Sequence, residues 1–212
     1  MEESSSREKV LKNVRDALLN KQDKPIKDLD FNSSVFYDFD DALDVTFAQE
    51  LTKASGNFIF CDSIEKFTSK LKSLMEEKKW GYIQCTEKKV HLLLKQARIP
   101  YKYSDSALLS AEVGLTGCEY LIARFGSIVV SSKGQSGRRM NVFPETHLVL
   151  AFTSQIVPDI KDAMANLKKK YQNALPSMIA LITGPSRTAD IEKTLVMGAH
   201  GPKNLYVFLV DA

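Results

Sequence analysis

From residue 57 onward, short apolar runs alternate with stretches whose apolar residues recur at helical spacing. No other feature limits the fold of this chain so strongly. Residues 57–61 read as a strand. Ile64, Phe67, Leu71, Leu74 and Met75 then recur three or four residues apart, which predicts a helix over 63–79. Residues 80–85 read as a strand, 88–97 as a helix and 99–103 as a short extended piece. Later, 147–152 is a strand and 158–171 a helix with Pro158 near its first turn. Residues 178–182 and 205–210 are unbroken apolar runs, as expected of central strands covered on both faces. Strands separated by helices pair in parallel through crossovers, so the pattern predicts an α/β fold built on an open, mostly parallel sheet in three layers.

The centre breaks the rhythm. Residues 119–124 and 127–131 are apolar and flank Phe125-Gly126, which reads as a hairpin or bulged bend. Ahead of the alternating region, residues 6–20 form a helix with Val10, Leu11, Val14, Ala17 and Leu18 on one stripe. A polar linker follows over 21–30. Phe31, Val35, Phe36, Tyr37 and Phe39 then punctuate an acidic stretch and could pin an extended arm onto the body or a partner subunit, so a homo-oligomer is among the expected states. Residues 41–54 read as a helix closed by Gly56 at C′. The expected division is an N-terminal helical arm and linker over 1–55 and an α/β domain over 56–212.

With 212 residues, the chain can bury a full core without disulfides or metal. Its net charge of +3 is too small to argue for nucleic acid, so none is expected. Cys61, Cys85 and Cys118 are odd in number and far apart, with no zinc or iron–sulfur spacing. Cys61 and Cys85 each end an apolar run and read as buried free thiols, which suits a reducing cytoplasm, and neither metal nor cofactor is expected. No secretory leader or bilayer-spanning run is evident, so the expectation is a cytoplasmic protein with no membrane span.

Five segments carry candidate chemistry. Thr183-Gly184-Pro185-Ser186-Arg187-Thr188 follows an apolar strand and leads to cap chemistry for a helix expected to start near Thr188. A helix N-terminus behind a Gly/Pro turn is a ready anion site, and Arg187 adds a forked cation. The plainer alternative is a well-capped turn. Lys133-Gly134-Gln135-Ser136-Gly137-Arg138-Arg139 combines glycines, which admit close backbone approach, with cations. It lacks the Walker A pattern and reads equally well as a surface loop. Glu145 and His147 stand two apart ahead of a strand and could share a face as an acid–base pair; a singly satisfied histidine is the alternative. His200, between Gly198 and Gly201-Pro202, could reach the 183–188 loop. Glu119, after Gly114-Leu-Thr-Gly-Cys118, faces either a cleft or solvent. In an open α/β sheet, ligands collect at strand ends, so one shared cleft is expected.

Taken in order, Gly114-Leu-Thr-Gly-Cys-Glu119, Gly126-Ser-Ile-Val-Val130, Gly134-Gln-Ser-Gly-Arg-Arg139, Pro144-Glu-Thr-His147, Gln155-Ile-Val-Pro158, Thr183-Gly-Pro-Ser-Arg-Thr-Ala-Asp-Ile-Glu192 and Gly198-Ala-His-Gly-Pro202 closely resemble the LUD domain family, of its small, single-domain lactate utilisation protein C type. The resemblance covers about residues 57–212. It implies the fold shared by ribose-phosphate isomerase, glucosamine-phosphate isomerase and CoA-transferases. It also implies a place in a bacterial system that oxidises L-lactate to pyruvate, beside iron–sulfur components. The sequence departs from the family pattern at Arg124 and Phe125, where an acidic residue and a hydroxyl are usual.

Two functions follow as expectations. The first is an accessory component of such a lactate-oxidising system, binding an anionic small molecule or docking the iron–sulfur partners. The expected ligand contacts are Thr183, Gly184, Ser186, Arg187, Thr188 and Gly201, with Gly134, Gly137 and Arg138 opposite; Glu145, His147 and His200 are the catalytic or proton-handling candidates. The second is a stand-alone enzyme with isomerase, CoA-transferase or folate cyclo-ligase-like chemistry on a phosphorylated or CoA substrate, for which Glu119 or Glu145 would supply the carboxylate. A pure assembly protein, docking through residues 1–55, is the third option.

Overall fold

The structure is a computed structural model that describes residues 5–19, 36, 38–102, 108, 111–172, 174–189 and 194–211. Two compact units divide at residues 38 and 39. The first contains helix α1, Ser6–Leu19, all of whose described side chains are exposed. Most of the linker, with Phe31, Val35 and Tyr37, lies outside the described residues.

The second unit is built on a six-stranded, wholly parallel sheet. Its strands are β1 (Asn57–Cys61), β2 (Ile83–Cys85), β3 (Tyr101–Lys102), β4 (Val113–Thr116), β7 (Thr146–Phe152) and β12 (Asn204–Val210), in the order β1-β12-β7-β4-β2-β3. Along β12, Leu205, Val207 and Leu209 face one core while Phe208 and Val210 face the other, as a period of two requires. Helices α3 (Ile64–Lys78) and α4 (Lys88–Gln96) cover the second of these faces. The Ser63 hydroxyl starts α3 by accepting the Lys66 N–H at 3.2 Å. Phe67 packs edge-on against Phe208, centroids 5.3 Å apart, a geometry that contributes about 1 kcal/mol beyond area burial.

The opposite face meets α2 (Leu43–Lys53), through Phe47 and Leu51, and a second sheet. This sheet orders β8 (Ile156–Val157), β5 (Tyr120–Ile122), β6 (Ser127–Ser131) and β9 (Ile179–Ile182), with β5/β6 and β6/β9 antiparallel. Helix α5 (Ile160–Tyr171) closes its outer side with Ala163 and Leu167. The mostly parallel α/β reading is therefore correct, and the second sheet is the addition. Helix α2 belongs to the core of the body, which begins at Phe39 rather than after residue 55. Its left-handed C-terminal residue is Ser55 (φ 67°), not Gly56. Gly56 is needed for space, because a Cβ there would stand 2.4 Å from Leu51 Cδ1.

β12 is central, as its apolar run predicts, but β9 is an edge strand of the second sheet with Leu181 exposed. An apolar run reads alike in both places, since β9 still needs Ala180 and Ile182 for the core beneath it.

Candidate functional site

The two sheets diverge where the chain leaves β4. Gly117-Cys118-Glu119 carries it from the main sheet into β5, and a cavity of about 530 Å³ opens there. It lies beyond the carboxyl ends of β2, β4 and β7, where ligands gather in open α/β sheets. Val90, Leu93, Leu150 and Phe152 line an apolar side; Glu87, Glu119, Ser131, Ser136, Lys133 and Lys170 are among the polar lining.

Glu119 is buried at this junction. The Ser131 hydroxyl donates to its Oε1 at 2.5 Å, Tyr171 OH to the same oxygen at 2.6 Å, and Lys170 Nζ to Oε2 at 2.7 Å. Burial pushes the carboxyl up, but the hydrogen bonds from Lys170, Ser131 and Tyr171 outweigh it and hold Glu119 below its ordinary value. Burial and the adjacent carboxylate raise Tyr171. Glu119 is thus an anchored anion. Gln155 is also committed: its Oε1 accepts the Phe152 N–H at 2.8 Å and its Nε2 donates to the Cys118 and Glu119 carbonyls.

Glu87, which the sequence reading passed over, behaves differently. Its Oε1 accepts the Gly117 N–H at 2.7 Å and the Ser136 hydroxyl. This bond draws the 133–139 loop to the cavity, and Gln135 Oε1 ties the same loop to the Lys88 N–H at 2.7 Å. The only sequence sign of Glu87 was its position at the N-cap of α4, two residues beyond a strand. Cys118 also lines the cavity; burial pushes its thiol well up, and the Glu87 and Glu119 carboxylates push the same way.

The residues expected at one shared cleft separate. Gly134 reaches the cavity, whereas the Arg138 guanidinium turns away to donate to Ser177 Oγ at 2.7 Å. Gly137 (φ 61°) stands with open space where a Cβ would lie. Glu145, His200 and Gly201 gather instead at the amino ends of β7 and β12, around a hollow where Glu145 pairs with Lys203 at 2.9 Å. Glu145 and His147 do not form a pair. Strand β7 begins only at Thr146, so alternation does not carry back to Glu145, which is exposed. His147 is fully buried, its Nε2 2.8 Å from Thr116 Oγ1 and its Nδ1 without a hydrogen-bond partner among the described residues. Burial lowers its pKa to about 4, so the imidazole is neutral.

The LUD domain family matches residues 45–210. The chain belongs to the LUD domain family. Lactate utilization protein C of Geobacillus thermodenitrificans is 36% identical over 104 residues, 48% of this chain and 43% of that protein. The Bacillus subtilis protein of the same name is 38% identical over 104 residues, with the same shares. The matched stretch therefore spans less than half the length of these relatives. A solved structure of a DUF162 family protein from Deinococcus radiodurans superposes with a TM-score of 0.59 at 17% identity, covering 79% of this chain and 96% of that one, which is a likeness of fold.

In this LUD domain the Thr183–Thr188 segment does not enter a helix at Thr188. Arg187–Thr188 form strand β10, paired antiparallel with β11 (Val196–Met197). Asp190, Ile191 and Glu192 lie outside the described residues. The Ser186 N–H donates to the Pro202 carbonyl at 2.9 Å, and the Gly198 N–H to the Ser186 carbonyl at 2.9 Å. The Ser186 N–H, expected to face an anion, instead joins this segment to Gly198–Pro202. Thr183 Oγ1 meets Ser127 Oγ at 2.7 Å, and Gly184 (φ 79°) lies against α2, where a Cβ would stand 2.1 Å from the Ala54 carbonyl oxygen. Arg187 is exposed. The two family motifs are thus hydrogen-bonded to each other, apart from the strand-end cavity. Among the described residues no helix is long and apolar enough to cross a membrane.

Proposed function

We propose that this chain is an accessory component of a bacterial lactate utilisation system, working with iron–sulfur partners that carry the electrons, and that it binds a small organic molecule in the cavity between its two sheets. The observation that carries the reading is the name shared by relatives 36–38% identical to it, lactate utilization protein C. The cavity supports a binding role, because it combines an apolar side with a few fixed polar groups at strand ends. Neither Glu119, held by three donors, nor Glu145, paired with a lysine at the surface, is presented as the carboxylate base that the isomerase or CoA-transferase chemistry would need.

Deleting the coding sequence from its host and growing the cells on L-lactate or pyruvate as sole carbon source tests the role. Growth is expected to fail on lactate, persist on pyruvate and return with the intact chain. Undiminished growth on lactate refutes it. Affinity capture with the tagged full chain, followed by iron analysis of the co-purifying proteins, checks the partner; capture without iron counts against it.

A further inference from the structure

We infer that the strand-end cavity takes an organic anion larger than lactate, with an apolar body and a hydrogen-bond donor, and that Glu87 receives that donor. The inference rests on the small-molecule reading above and names the ligand class.

Size comes first. A volume of about 530 Å³ falls in the range of pockets that bury drug-sized ligands, roughly 300–1,000 Å³. A three-carbon acid would leave most of it to water. The apolar side formed by Val90, Leu93, Leu150 and Phe152 offers nothing to such a small polar molecule, but it suits a ring or chain.

Hydrogen bonds then separate the groups already committed from those still open. Both oxygens of Glu119 and both ends of the Gln155 amide are engaged within the protein. Glu87 is held through Oε1 alone; its Oε2 receives no hydrogen bond among the described residues. Gly117 keeps that side clear, since a Cβ there would stand 3.0 Å from Oε2. A carboxylate oxygen only accepts, so the partner it lacks is an N–H or O–H. The cations have donors to spare. Lys170 gives one N–H to Glu119 and Lys133 one to the Ala174 carbonyl, which leaves each ammonium two of its three. Lys89, Lys133 and Lys170 face two carboxylates, Glu87 and Glu119, around the cavity, so a single negative charge on the ligand balances the lining.

The probe pair 2-anilinonaphthalene-6-sulfonate and its N-methyl analogue carries these features. Both have an anion and an aromatic body, and only the first has the N–H. Fluorescence titration of the full chain is expected to show one saturable site that prefers the N–H probe by about threefold or more, the size of one net hydrogen bond. The preference should vanish in Glu87→Gln, and Lys133→Gln should weaken both probes alike. Leu93→Trp, which fills the apolar side without touching the polar groups, should abolish binding. Circular dichroism confirms that each variant is folded. Millimolar L-lactate should leave the probe in place. An unsaturable titration, a preference that survives Glu87→Gln, binding untouched by Leu93→Trp, or displacement by lactate each overturns the inference. The growth test on lactate reads the biological role separately, so either reading can fail alone.

Discussion

Arg124 holds both carboxylate oxygens of Asp159, Nε to Oδ1 at 2.7 Å and Nη2 to Oδ2 at 3.2 Å, while its guanidinium lies over the ring of Phe39 with 4.2 Å to the centroid. Arg124 lies in the turn that follows β5, and Asp159 is the N-cap of α5. The pair therefore clamps the second sheet to the helix that covers it. An acidic residue at position 124 would face Asp159 with like charge, whereas Arg124 finds its partner there.

The clamp is two-pronged and mostly shielded, so Arg124→Lys should not replace it. A double-mutant cycle of Arg124→Lys with Asp159→Asn, read by urea denaturation, should give a coupling of about 1–3 kcal/mol. Additive single effects would show that the forked geometry adds nothing beyond what a lysine supplies there.

His147 sets an acid limit on stability. Its folded pKa, about 4, lies below the ordinary 6.5, so between these values the unfolded chain binds a proton that the native chain excludes. Stability is then fully present above about pH 6.5 and declines as the pH falls towards 4, by about 3 kcal/mol over the window. Glu119, whose carboxyl lies below its ordinary 4.5, contributes stability that is lost only at lower pH still. Denaturation midpoints across pH 4–7.5 should slope in the wild type, and His147→Asn should lose about one proton of that slope. An unchanged slope would mean that the imidazole titrates as it does in solution.

Cys118 lines a cavity yet should resist alkylation. The thiolate is the nucleophile, and burial together with the Glu87 and Glu119 carboxylates disfavours it. Burial pushes Cys85 up to about 12 and also raises Cys61. Iodoacetamide at pH 8 should leave all three unlabelled in the native chain and label all three in guanidinium. Mass spectrometry showing native labelling of Cys118 at the rate of an unfolded thiol would remove this electrostatic account.

The fold was legible where side-chain period reports burial. Helices α3, α4 and α5 and strands β1, β7 and β12 lie within a few residues of their expected places because each presents an unbroken pattern to a core. What was not legible depended on partners distant in sequence. Nothing in residues 178–182 says that they form an edge, because edge and centre differ only in what lies beyond. The Thr183–Thr188 turn had good capping residues, but the Ser186 N–H and carbonyl pair with the Gly198–Pro202 segment instead. Glu87 was missed for the same reason: its partners, Gly117 and Ser136, are 30 and 49 residues away, and no local pattern announces them.

Two glycines separate backbone conformation from packing. Gly126 (φ 57°) and Gly137 (φ 61°) share the left-handed region, where an L side chain costs about 1 kcal/mol. At Gly137 a Cβ would meet nothing within 4 Å, so Gly137→Ala should lose only that amount. At Gly126 it would stand 2.2 Å from the Leu51 backbone nitrogen and 2.5 Å from the Glu50 carbonyl carbon. These are backbone atoms of α2 and cannot rotate aside, so the helix itself must lift from the second sheet and carry Phe47 and Leu51 out of the core. Gly126→Ala should therefore cost about 3 kcal/mol or more, and about 2–4 °C of melting temperature per kcal/mol applies at this chain length. Equal losses in the two variants would show that α2 gives way freely, and that the tight seat of the helix against Gly126 is not what holds the two sheets together.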